Sequence, residues 1–106
     1  MNWTTLRDYS QLTSALENSK PFFVFKHSTR CSISSMALNR FEGSNDLEGV
    51  QAFYLDIINF RSISNQLALD YDVQHQSPQL LLIRANECIY NASHNSISID
   101  AIKAFL

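Results

Sequence analysis

The sequence predicts an α/β fold, a central four-stranded mixed sheet flanked by helices, as one domain over residues 1–106. Three observations carry this. The runs Phe22-Phe23-Val24-Phe25 and Leu80-Leu81-Leu82-Ile83 are apolar without alternation, as in strands covered on both faces. Segments with apolar residues at helical spacing stand between the strand-like ones, which places helices over the sheet. At 106 residues, 45% hydrophobic and 17% charged, the chain has the size and composition to bury one core without disulfide or metal staples.

The elements follow in order. Leu12, Ala15 and Leu16 give a helical stripe over Ser10–Ser19, with Ser10 as the expected cap. Pro21 interrupts it, and Phe22–Phe25 is a central strand. Helical spacing returns at Ile33, Met36, Ala37 and Phe41, so a second helix starts at Cys31 and stops at Glu42-Gly43-Ser44-Asn45. Val50–Asp56 is the second strand, and Ser62–Tyr71 the third helix, with Ile63, Leu67 and Ala68 on its stripe. Pro78 opens the third strand, Gln79–Ile83. Ala85-Asn86-Glu87 turns the chain into a fourth, Cys88–Ala92, as a hairpin. Ser98 and Asp100 begin a last helix carrying Ile99, Ile102 and Phe105. A βαβ unit followed by ββα, with an extra leading helix, is the order of a thioredoxin-like fold.

Composition narrows the function classes. Eight Lys and Arg against ten Asp and Glu, without a basic cluster, make nucleic acid an unexpected partner. No apolar stretch reads as a signal peptide or a bilayer span, so the expected setting is the reducing cytoplasm, away from membranes. Two cysteines, Cys31 and Cys88, are too few for a disulfide framework or a four-cysteine zinc site. The histidines His27, His75 and His94 have no metal-ligand spacing, and no metal site is expected. Two glycines in the chain leave no room for a phosphate-cradling loop, and Ala37 stands where a cysteine phosphatase needs arginine.

What remains is thiol chemistry at Cys31. A cysteine at a helix start faces unpartnered backbone N–H groups and the positive end of the helix dipole, and both favour the nucleophilic thiolate. Arg30 precedes it, and Lys26 and His27 end the preceding strand as further cationic candidates. Cys31-Ser32-Ile33-Ser34 puts a hydroxyl where a resolving cysteine would stand, so this site cannot close an internal disulfide. Ser77-Pro78 opens the third strand, where a thioredoxin fold holds a cis-proline facing the cysteine. Cys88, on a strand, reads as structural.

Phe25-Lys26-His27-Ser28-Thr29, Cys31-Ser32-Ile33-Ser34, Ser64-Asn65, His75-Gln76-Ser77-Pro78-Gln79 and Ala92-Ser93-His94 resemble the monothiol bacilliredoxins of the YtxJ type over nearly the whole chain. The resemblance implies removal of bacillithiol, or a similar low-molecular-weight thiol, from thiolated protein substrates, with the small thiol as co-substrate and no bound cofactor. It implies catalytic roles for Cys31 as nucleophile and Ser34 at the vacant resolving position, and substrate contacts at Arg30, Ser32, Ser77 and Pro78. Where the family reads Thr-Cys-Pro-Ile-Ser, this chain has Arg30 before the cysteine and Ser32 after it. Asn95 stands in place of a tryptophan. Serine at a first helical position restores a backbone donor that proline lacks. The reading from another class is a non-catalytic thioredoxin-fold binding module, or an iron–sulfur carrier using Cys31. A carrier's cysteine is expected beside small flexible residues, which Ser32-Ile33-Ser34 does not provide.

Overall fold

The computed structural model describes residues 3–43, 47 and 49–106. The strands are β1 (Trp3–Thr5), β2 (Phe22–His27), β3 (Gln51–Asp56), β4 (Gln79–Arg84) and β5 (Glu87–Ser93). The helices are α1 (Ser10–Leu16), α2 (Ser32–Glu42), α3 (Arg61–Asp70) and α4 (Ile99–Lys103), with a 3-10 turn at His94–Ser96. The sheet has five strands, in the order β1-β3-β2-β4-β5, which corrects the expected four. The added strand, β1, pairs in parallel with β3 from Trp3↔Ala52 to Thr5↔Tyr54. Three residues with one apolar side chain carry no period of their own, and long-range pairing makes them a strand.

β2 lies in the middle of the sheet. It runs parallel to β3 from Phe22↔Gln51 to His27↔Asp56 and antiparallel to β4 from Phe22↔Ile83 to Lys26↔Gln79. All six of its residues are buried, as expected of a strand with helices on both sides. Its side chains alternate between two cores. Phe22 and Val24 join Leu12 and Ala15 of α1, Ile63 and Leu67 of α3, and Leu81 and Ile83 of β4. Phe23 and Phe25 join Ala37 and Phe41 of α2, Leu80 and Leu82 of β4, and Ile102 of α4. Trp3 closes the second core, its ring 5.7 Å from Phe23 edge-on and 6.2 Å from Phe41. Aromatic contacts of this geometry contribute about 0.5–1.5 kcal/mol beyond area burial.

Helix ends follow from local hydrogen bonds. α1 is not capped by Ser10 as expected. Asp8 Oδ1 accepts from the Ser10 N–H at 2.9 Å, and Gln11 Oε1 accepts from Arg7 and Asp8. Ser98 caps α4 as expected, its hydroxyl accepting from the Ala101 N–H at 3.3 Å. Gly43 ends α2. Ser44 and Asn45, also assigned to that stop, lie outside the described residues. The β4–β5 hairpin turns on Ala85 and Asn86, both at positive φ (51° and 61°), the combination a tight two-residue turn demands. Among the described residues no helix is long and apolar enough to cross a membrane.

Candidate active site

Cys31 is the N-cap residue of α2, with extended backbone (φ −112°, ψ 120°), so it stands one position before the first helical turn. Its N–H donates to the Ser28 carbonyl at 3.1 Å, and its carbonyl accepts from Ser35 at 3.1 Å, which fixes the loop on both sides of the sulfur. The side chain is partly exposed, and the thiol is free. Arg30 and Ser32 flank it on exposed positions, Ser32 as the first residue of α2. The site therefore has an accessible sulfur at a helix N-terminus, where unpaired N–H groups collect.

Ser34, one turn further on, is fully buried. Its Oγ lies 2.6 Å from His27 Nδ1 and accepts from the Ser28 N–H at 3.1 Å. The hydroxyl thus ties α2 to the last residue of β2. His27 is buried too, its ring 6.1 Å from Phe25 in a stacked arrangement and 5.4 Å from Tyr54. Burial holds its imidazole below the ordinary range, opposed by the Asp56 carboxylate and the Ser34 contact. At neutral pH the ring is accordingly uncharged, which makes it a hydrogen-bonding partner for Ser34 and not a cation for Cys31.

Lys26 also differs from its expected place beside the thiol. Adjacent strand residues point to opposite faces, and Lys26 turns toward α3 while His27 turns toward α2. Lys26 Nζ, on a fully buried side chain, lies 3.5 Å from the Ser64 carbonyl and 3.3 Å from His75 Nδ1. His75 Nδ1 is in turn 2.9 Å from Ser64 Oγ. Burial pushes the lysine down to about 8, with Arg61 adding to the effect. The imidazole of His75 is lowered by burial first, then by Lys26 and Arg61. Ser64 and His75 lie in segments that resemble the family, but spacing alone assigns them no role. Their contact with Lys26 is set by the fold.

The Ser77-Pro78 bond is cis, as expected. One step beyond the Lys26↔Gln79 pair, the antiparallel register brings Pro78 alongside His27, so this loop and the loop bearing Cys31 share one end of the sheet. The Pro78 carbonyl accepts from the His94 N–H at 3.0 Å, and His94 takes a left-handed conformation (φ 54°) to make that turn. Ser77 Oγ and Trp3 Nε1 are buried without a hydrogen-bond partner. On the α2 side, Ile33, Met36, Asn39, Arg40 and Asn95 line an open cavity of about 280 Å³. Ile33 and Met36 are exposed there, and Asn95 fills the family's tryptophan position.

Cys88 is remote from this end. It pairs with Ile83 on β4, which in turn pairs with Phe22 at the opposite end of β2. Five strand steps separate Phe22 from His27, roughly 17 Å at the usual rise. Cys88 also packs in the core of α1 and α3, across the sheet from α2, and its Sγ donates to the Tyr90 carbonyl at 3.3 Å. Burial pushes its thiol up, away from the reactive thiolate. A bridge to Cys31 would need Cα atoms within about 7 Å. No cluster of three or more metal-ligating side chains occurs among the described residues.

Solved structures place the architecture. A putative oxidoreductase with a thioredoxin fold superposes with a TM-score of 0.85 at 27% identity, covering 96% of this chain and 91% of its own. A thioredoxin-like protein of Edwardsiella tarda (TM-score 0.70, 17% identity, 99% and 98% covered) and the thioredoxin of Malassezia sympodialis (0.74, 13%, 99% and 90%) share the fold. The five-stranded sheet with helices on both faces is thus a thioredoxin fold, and its sole thiol at the sheet end is Cys31. A profile of the monothiol bacilliredoxin BrxC matches residues 4–102, so the chain belongs to the monothiol bacilliredoxin family, thiol–disulfide oxidoreductases of thioredoxin fold.

Proposed function

We propose that this protein removes bacillithiol, or a similar low-molecular-weight thiol, from protein mixed disulfides in the reducing cytoplasm, with Cys31 as its nucleophile. The observation that carries the reading is the isolation of Cys31: accessible at the N-terminus of α2, with a buried hydroxyl at position 34 and the other cysteine at the far end and opposite face of the sheet. The Cys31 thiolate attacks the bacillithiol sulfur of the mixed disulfide. The bond between that sulfur and the target breaks, and a Cys31–bacillithiol disulfide forms. The target leaves as a thiolate and takes a proton from water. No net oxidation occurs, and a second low-molecular-weight thiol must clear the adduct. Arg30, Ser32, Ser77 and Pro78 contact the thiolated protein in this reading, with Ser34 in the resolving place. No bound cofactor is required.

The test is intact-mass analysis after incubation with a bacillithiolated protein. Wild type is expected to accumulate the adduct on Cys31 while the target is reduced. Cys31→Ser abolishes both, and Cys88→Ser changes neither. Ser34→Cys is expected to release the small thiol and form an internal disulfide. An unmodified Cys31 without reduction of the target supports a binding module instead, and an adduct resolved through Cys88 makes the mechanism dithiol.

A further inference from the structure

The last two residues of β2 reach to opposite sides of the sheet, one ending on the helix that carries Cys31 and the other on the loop that carries Pro78. His27 holds Ser34 of α2, the helix that carries Cys31. Lys26 holds His75, three residues before Pro78. We propose that Lys26 and His75, with Ser64, form a positioning pair that fixes the Gln74–Pro78 loop against β2, so that docking of the thiolated protein requires a neutral His75. This rests on the function proposed above and deepens it, because it names what sets the substrate-side loop.

The donor inventory fixes the protonation state. An ammonium offers only donors, so with Lys26 Nζ at 3.3 Å, His75 Nδ1 must be the acceptor, and the ring proton is on Nε2. The Ser64 hydroxyl, 2.9 Å from the same nitrogen, is then a second donor that shares its one lone pair with Lys26. A second clamp holds the same loop from β4. The nearly buried Gln79 side chain donates from Nε2 to the Gln74 carbonyl at 3.0 Å, and its Oε1 accepts from the Gln76 N–H at 3.4 Å. The loop is thereby tied to β2, α3 and β4.

Protonating His75 reverses one of these ties. An N–H at Nδ1 can still donate to Ser64 Oγ, but it faces the Lys26 ammonium as a like charge. The groups facing the ring are Lys26 from β2 and Arg61 and Ser64 from α3; Cys88 from β5 acts on Lys26 and, buried with a raised thiol, is uncharged at neutral pH. Both cations oppose uptake of the proton, in keeping with the lowered imidazole. The His27–Ser34 contact has no such weakness, since a protonated Nδ1 can donate to the hydroxyl. Acid therefore breaks the tie to β2 and loosens the substrate-side loop, which Gln79 still holds to β4, and it leaves the Cys31 helix anchored.

The experiment separates docking from thiol reactivity. KM for a cysteine peptide carrying bacillithiol in a mixed disulfide is measured from pH 5 to 8 with free bacillithiol at a fixed concentration to clear the adduct, alongside the alkylation rate of Cys31 by iodoacetamide, followed by peptide mapping. Wild-type KM is expected to rise as pH falls through the His75 titration, beyond the change in alkylation. His75→Asn, which places a non-titrating acceptor near Nδ1, keeps the neutral-pH KM and loses the acid rise. His75→Ala and Lys26→Met raise KM about five- to tenfold at neutral pH, the loss of one or two hydrogen bonds, with alkylation unchanged. Amide hydrogen exchange over residues 74–80 reads the clamp independently of turnover, and is expected to quicken in acid in wild type but not in His75→Asn. The proposal is overturned if His75→Asn retains the acid response in exchange or KM, or if Lys26→Met leaves both as in wild type. A wild type that never takes bacillithiol overturns the proposed function, and loop exchange still decides the clamp.

Discussion

Ser34→Ala isolates what the buried hydroxyl does. The substitution removes one oxygen from a fully buried site and strands two partners, His27 Nδ1 at 2.6 Å and the Ser28 N–H at 3.1 Å. A buried group left unsatisfied costs about 1–3 kcal/mol. His27 is 4% exposed and cannot recruit water, whereas Ser28 is partly exposed and can. The expected loss is therefore about 2–3 kcal/mol, most of it from the imidazole side. Urea denaturation followed by far-ultraviolet circular dichroism should show a midpoint lower by about 1–2 M at an ordinary slope. Ser34→Cys keeps a polar atom of similar reach and should lose less than half as much. A Ser34→Ala protein within about 0.5 kcal/mol of wild type would refute the argument, because a buried imidazole nitrogen left without its partner cannot be that cheap.

Two further outcomes follow from single features. Lys26 is held at about 8 against an ordinary 10.5, so between those values the unfolded chain binds more protons than the folded one, and folding stability rises with pH. Lys26→Met removes that rise, and the difference between wild-type and variant urea midpoints, taken from pH 7 to 10.5, measures it; parallel curves would show that the lysine is not depressed. Ala85 adopts φ 51° in the β4–β5 turn, a conformation an L-residue with a bare Cβ tolerates poorly. Ala85→Asn is expected to stabilise the fold by about 0.5–1 kcal/mol, read as a higher thermal midpoint, and a lower midpoint contradicts it.

Legibility in the sequence follows the range of the interaction that fixes each feature. Phe22–Phe25 and Leu80–Ile83 announce themselves as buried strands because burial on both faces is written into consecutive side chains. β2 extends two residues past its apolar run, through Lys26 and His27, because pairing with Leu55 and Asp56 on β3 continues there. Ser98 is a cap from its neighbours alone, but at Ser10 the competition among Asp8, Gln11 and Ser10 is settled by geometry that no spacing encodes. Trp3 looks isolated in sequence and becomes part of a strand only against Ala52.

The candidate site divides the same way. Cys31, Ser34 and the Ser77-Pro78 bond are readable because each depends on local chemistry: a helix start, a three-residue spacing, an imide bond. Lys26 is near Cys31 in sequence but not in space. Once Phe22–His27 is a strand, period two requires Lys26 and His27 to face opposite ways, so at most one of them can share the α2 side with Cys31. His27 is the one that does, and it does so as a neutral partner to Ser34. Lys26 meets a histidine 49 positions away, a contact that exists only because α3 and the loop before β4 cover the same face. The sulfur and its missing partner are thus local facts, whereas the framework of Lys26, Ser64 and His75 beside them is a product of the whole sheet.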